Sequence, residues 1–113
     1  MKPGDVALVR FPFTAIETDK KRPALVVAHT VRSKRYSLAT VAMITSQTEV
    51  FKLEGDVLLE DWKDANLLHP SLLRLGKVAT VDEELIDKTL GRLSRADLES
   101  ARRAFRRVFA IWV

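Results

Sequence analysis

Two short apolar runs separated by a charged, proline-punctuated segment constrain this chain more than any other feature. Val6 to Phe11 is one run, interrupted by Pro12, and Ala24 to Ala28 is the other, reached through Lys20-Lys21-Arg22-Pro23. Both read as strands, and the polar connection between them predicts loop residues at a sheet edge, where a ligand can meet them. Pro23 disfavours helical backbone at Arg22, so the guanidinium stands at the mouth of the second strand. That group is permanently charged and presents paired N–H donors, a geometry suited to a polyanion.

The rest of the chain continues in short elements. His29 to Arg35 reads as a basic, polar connection, and Tyr36 to Ile44 as a buried central strand of small and β-branched residues, ended by Thr45-Ser46-Gln47-Thr48. Val50 to Leu59, with Gly55-Asp56 inside it, predicts a hairpin or two short strands. Glu60 to Leu68 fits one or two helical turns stopped before Pro70. Ser71–Leu75 and Lys77–Val81 read as strands, with Gly76 marking a bulge or a close backbone approach. Asp82 to Leu85 predicts a brief acidic helix, and Thr89 to Leu93 an extended return.

The last segment is the clearest helix. Ser94 to Asp97 fits a capping box, and Leu98, Ala101, Phe105, Val108, Phe109 and Trp112 recur at spacings of three and four. Arg102, Arg103, Arg106 and Arg107 fall largely on the other side, a solvated face near the negative end of the helix dipole. At 113 residues, with no repeat or linker, the chain is expected to be one domain spanning 1–113. The predicted class is mainly β (α+β): a small, strongly curved β-barrel with short helices and a C-terminal amphipathic helix.

Charge is polarised along the chain. The balance of Lys and Arg over Asp and Glu is +5 across 1–37, −4 across 38–93 and +3 across 94–113. Basic ends around an acidic middle suit a surface that attracts nucleic acid, although a solvated face of mixed charge has the same composition. There is no cysteine, hence no disulfide and no thiolate nucleophile, which fits a reducing cytoplasm. No export signal is expected at Met1 to Asp5, and no apolar run approaches the ~20 residues that cross a membrane.

Common chemistries drop away on the same reading. His29 and His69 are far apart in sequence and offer no paired-ligand spacing, so no metal site is predicted on histidine. Glu54, Asp56, Glu60 and Asp61 form the one carboxylate group that suggests Mg²⁺, yet acids at a turn are commonly solvated. No Ser-His-Asp order, Walker loop or dinucleotide fingerprint appears.

Several short motifs, in order and covering nearly the whole chain, resemble one family. GDVALVRFPFT, KRPALVV, ITSQ at Ile44 to Gln47, GDVLLEDW at 55–62, LLHPSLLRLGKVATVDEELI and LGRLS together resemble the MazF/PemK toxins of type II toxin–antitoxin systems. The resemblance implies an SH3-like barrel, a homodimer, and a cytoplasmic endoribonuclease that cuts single-stranded RNA without a metal or cofactor. Cleavage would proceed by attack of the RNA 2′-hydroxyl, and a cognate antitoxin would hold the toxin inactive. Single strands suit such a reader because their bases can be splayed and stacked on residues such as Phe11, Phe13 or Tyr36.

Site residues follow by position. The family's arginine before proline is Arg22, and the hydroxyl of its I-T-x-Q turn is Thr45, with Ser46 and Gln47 beside it. A glutamate five residues before the arginine, present in some members, corresponds to Glu17. Other members resemble R-x-D, where Arg74 matches the arginine and Gly76 replaces the aspartate. Arginine does not give up its proton, so Arg22 suits charge stabilisation better than base catalysis. Lys20, Lys21 and Lys77 are the further expected RNA contacts. Two rival readings share the barrel: a gyrase poison resembling CcdB, and a non-catalytic RNA- or protein-binding module.

Overall fold

The protein, described here by a computed structural model over residues 1–11, 20–50 and 52–113, is built on one antiparallel sheet. Its strands are β1 (Asp5–Arg10), β2 (Lys21–Ser33), β3 (Tyr36–Thr45), β4 (Asp56–Leu58), β5 (Leu72–Asp82) and β6 (Ile86–Arg92). They lie side by side in the order β4-β5-β3-β2-β1-β6. One helix, α1 (Arg95–Val108), and 3₁₀ turns at Glu83–Leu85 and Ala110–Trp112 complete the chain. No helix among the described residues is long and apolar enough to cross a membrane.

Both faces of the central strands are apolar because both are covered. On one face Val6, Leu25, Ala42, Ile44, Leu73 and Leu75 pack with Ala101 and Ala104 of α1 and with Leu59, Ala65 and Leu67. On the other, Ala7, Val9, Ala24, Val26, Ala39, Val41 and Val81 close around Phe11, with Leu85 and Ile86 packed against them. Burial on both faces accounts for the near-continuous apolar run of β3.

The second cluster lies inside a curl that the connectivity enforces. β5 and β6 are four steps apart in the strand order, about 19 Å across a flat sheet at ~4.8 Å per step. Only the 3₁₀ turn Glu83–Leu85 joins them, and three such residues span about 6 Å. The sheet therefore bends back on itself. It does not close into the expected barrel: β4 and β6 are its two ends and do not pair. With three residues β4 is too short to bridge the gap, and the segment after it lies along β6 instead. Asn66 Nδ2 donates to the Leu90 carbonyl at 2.6 Å, and a Cβ on Gly91 would lie 2.8 Å from the Ala65 carbonyl oxygen.

Three segments depart from expectation. His29 to Ser33 is not a connection but the outer part of β2, paired with Tyr36 to Ala39, so only Lys34 and Arg35 remain as the turn. Among the described residues of 50–54 there is no strand; Gly55, at φ +94°, turns the chain into β4. Glu60 to Leu68 forms successive turns rather than helix, with Asn66 at φ +60°. The expected brief helix after Asp82 is the 3₁₀ turn, and Ser71–Leu75 and Lys77–Val81 merge into β5 with a bulge at Gly76. There the β3 ladder jumps from Ala42↔Val78 to Met43↔Arg74.

The cap of α1 also differs in an instructive way. Ser94 accepts the Asp97 N–H at 3.1 Å, half of a capping box. The return half is missing, because the fully buried Asp97 carboxylate accepts the N–H groups of Glu60 and Asp61 instead, each at 2.9 Å. Two N–H donors and the positive end of the helix offset the cost of burying that charge.

Candidate active site

Arg22 is the second residue of β2, opposite Val9 of β1. On its other side the ladder to β3 begins at Ala24↔Met43, and that register continued by two residues sets Arg22 across from Thr45. Side chains alternate along a strand, so Arg22 shares the face of Ala24 and Val26, and Thr45 that of Val41 and Met43. The two strands thus carry Arg22 and Thr45, 23 residues apart in the chain, to the same end of the sheet. Arg22 is exposed, and among the described residues no carboxylate pairs with it.

The turn after β3 is held by its own side chain. Thr45 Oγ1 accepts the Gln47 N–H at 3.1 Å, and Thr48 N–H donates to the Ser46 carbonyl at 3.0 Å. An accepting hydroxyl keeps its own proton free to donate. Thr45 is half-buried, while Ser46 and Gln47 are exposed beyond it.

A cavity of about 440 Å³ opens at this end, within the range that holds small ligands. Its polar lining is Lys21, Arg22, Ser46, Asn66, His69, Ser71 and Lys88, over an apolar floor that includes Leu8, Leu67 and Leu90. No described residue lining it is a carboxylate. Lys21 is partly neutralised by Asp87 at 3.2 Å, whereas Arg22 and Lys88 make no ion pair with a described residue. Positive charge above an apolar floor suits an anion attached to a flat, weakly polar group. Ser46 also borders a second hollow of about 500 Å³, lined by Gln47, Thr48, Glu49 and Val50.

The structure brings Lys21, Arg22 and Ser46 to the cavity, and sets Thr45 and Gln47 beside it. It does not bring Arg74 there. That guanidinium forms a two-point pair with Asp56, Nε to Oδ1 at 3.1 Å and Nη2 to Oδ2 at 3.2 Å, with only 11% and 1% of the side chains exposed. Lys77 is exposed in the β5 bulge, Lys20 is exposed before β2, and Glu17 and Phe13 lie outside the described residues. Phe11 is 1% exposed in the core, which excludes it from stacking on a base, and Tyr36 stands beside the β2–β3 turn at the other end of β2.

The carboxylate group suggested for Mg²⁺ is dispersed. Asp56 is taken by Arg74, Glu54 by Arg107 at 2.8 Å, and no three His, Asp or Glu gather as a metal cluster among the described residues. Asn66, His69, Ser71 and Lys88 are the polar lining residues that sequence reasoning missed as partners of Arg22. One signal was available: His69, like Arg22, directly precedes a proline.

The family model described as PemK-like, MazF-like toxin of type II toxin–antitoxin system matches residues 2–109. No curated protein matches the sequence. Solved structures similar in fold include a mycobacterial endoribonuclease in complex with its cognate antitoxin, at 14% identity and TM-score 0.74, covering 98% of this chain and 96% of that one. The Mycobacterium tuberculosis toxin MazF-mt6 aligns at 22% identity and TM-score 0.69, covering 94% and 96%. MazF from Deinococcus radiodurans aligns at 17% identity and TM-score 0.67, covering 97% and 96%.

Proposed function

The chain belongs to the PemK-like, MazF-like toxins of type II toxin–antitoxin systems, and from that membership we propose that it is an endoribonuclease cutting single-stranded RNA without a metal. The observation that carries this reading is Arg22, unpaired among the described residues, directly across the sheet from the Thr45 turn and lining a positive cavity.

In this scheme the RNA cuts itself. The 2′-oxygen attacks the adjacent phosphorus, the P–O5′ bond breaks, and the products are a 2′,3′-cyclic phosphate and a 5′-hydroxyl. Negative charge grows on the equatorial phosphate oxygens during attack. Arg22, on backbone that Pro23 keeps extended, offers that charge a permanent cation and two N–H donors. The free hydroxyl proton of Thr45 supplies a further donor. The 2′-hydroxyl proton goes to a base, for which Glu17, five residues before Arg22, is the candidate the family resemblance offers. Lys20, Lys21, Ser46, Gln47 and Lys77 contact flanking phosphates or base edges.

Arg74, opposite Met43 and outside the cavity lining, has a supporting part. Its pairing with Asp56 braces the bulge of β5 rather than reaching the phosphate. Gly76 supports the same division: a Cβ there would lie 3.1 Å from the Glu54 carbonyl oxygen, leaving little room for an aspartate. Lack of that aspartate favours one second reading, an RNA-binding protein that does not cut.

The protein would work in the cytoplasm as a homodimer, restrained by an antitoxin whose acidic segment competes with RNA for the same cations. Incubation of wild type and Arg22→Ala with a long single-stranded RNA in EDTA decides among these readings. Cutting that survives the chelator and vanishes in the variant supports the nuclease. Binding without cutting supports the second reading, and intact RNA with stalled gyrase would point to the CcdB-like poison.

A further inference from the structure

The cavity has two sides, and each presents one residue fixed ahead of a proline. Arg22 precedes Pro23 on β2, and His69 precedes Pro70 in the connection from β4 to β5. The backbone carrying His69 is tied on either side. Ser71 Oγ donates to the His69 carbonyl at 2.8 Å, and Leu59 N–H donates to the Ser71 carbonyl at 3.0 Å. Upstream, Leu67 N–H donates to the Trp62 carbonyl at 3.1 Å, and Asn66 is bonded to β6. An exposed imidazole is therefore held on an anchored loop, facing the same space as the guanidinium.

The chemistry of the lining singles it out. Arginine and lysine side chains hold their protons at neutral pH, and serine hydroxyls are poor acids. Among the described residues lining this cavity, His69 alone is of a type that exchanges a proton readily near neutrality. The reaction needs such a group, because an alkoxide is a poor leaving group and Arg22 does not release a proton.

We propose that His69 is the general acid that protonates the departing 5′-oxygen. The assignment rests on the ribonuclease reading above. The 2′-hydroxyl gives its proton to a base or to water, and its oxygen forms the new bond to phosphorus. The P–O5′ electron pair leaves with O5′, which takes the imidazolium proton. His69 ends neutral and recovers its proton from solvent.

A sulfur leaving group tests this separately from RNA cleavage itself. Wild type, His69→Ala, His69→Gln and Arg22→Ala are compared on two oligonucleotides, cut at the linkage mapped with wild type. One carries the natural phosphodiester and the other a 5′-bridging sulfur, which departs as a stable thiolate without needing a proton. On the natural linkage both His69 variants fall by about 100-fold or more, the usual contribution of a positioned acid. On the sulfur linkage they return to within about tenfold of wild type, while Arg22→Ala stays slow on both. Equal losses of the His69 variants on the two substrates would overturn the assignment, as would natural-linkage rates matching wild type. Failure of wild type to cut either substrate would overturn the ribonuclease reading, and the acid with it.

Discussion

Two regions of this sheet treat charge in opposite ways. Where α1 meets β4 and β5, Asp56 answers Arg74, and Asp97 answers two backbone N–H groups. Around the cavity, Arg22 and Lys88 are left without an acidic partner among the described residues. A buried charge is tolerated only when its hydrogen bonds are met, so the first region spends its ions on holding the fold. The second keeps cations in reserve for a ligand. Arginine before proline and arginine inside β5 look equally eligible as catalysts until their partners are compared.

That contrast breaks most visibly at Asp56. Asp56→Ala removes both oxygens of the two-point pair with the largely buried Arg74 and is expected to cost about 3–5 kcal/mol of folding stability, read by urea unfolding. Cleavage per folded molecule should stay near wild type; a catalytic loss out of proportion to the folded fraction would move Arg74 into the reaction. Arg22→Ala should behave the other way round. Cleavage drops about 100- to 1,000-fold, equivalent to about 2.7–4 kcal/mol of transition-state stabilisation, while the urea midpoint scarcely moves.

Asp97→Ala tests the first region from the helix side. It leaves two N–H groups without acceptors and should destabilise the fold by about 2–3 kcal/mol in the same unfolding experiment. The smallest effect belongs to Lys88→Ala. Removing one phosphate contact should lower the slope of log affinity against log salt by about 0.7 for a single strand, measured by titration of RNA at several ionic strengths. An unchanged slope would remove Lys88 from the interface.

Much of the fold was legible because local pattern and final environment agree. β1, β3 and the body of α1 lie where apolar periodicity set them, though α1 ends at Val108 and leaves Trp112 exposed in a 3₁₀ turn, and Gly76 marks the bulge. The misreadings have physical causes. His29 to Ser33 is polar because both faces of the β2–β3 ribbon's outer part are largely solvated, so its strand character comes from pairing with β3 and leaves no hydrophobic trace. Glu60 and Asp61 take their hydrogen bonds from Asp97, more than thirty residues away, a partner no local rule can supply. Barrel closure failed for a similar reason, since the 60–68 segment claims the edge that β4 would have needed.

At the site, the X-Pro step set Arg22 at the start of a strand, while Arg74, lying between Leu73 and Leu75, pointed to pairing with an acid that the sequence could not name and Asp56 supplies. His69 was equally visible as a residue before proline, but its value depends on facing Arg22 across a cavity, which is a tertiary fact.

The grip of Asp97 on Glu60 and Asp61 has a consequence for how the molecule breathes. Those two amides belong to a stretch with neither helix nor strand, where deuterium would ordinarily enter within moments. Here their exchange should wait until the helix lifts away, so a surface turn will carry the clock of the C-terminal segment.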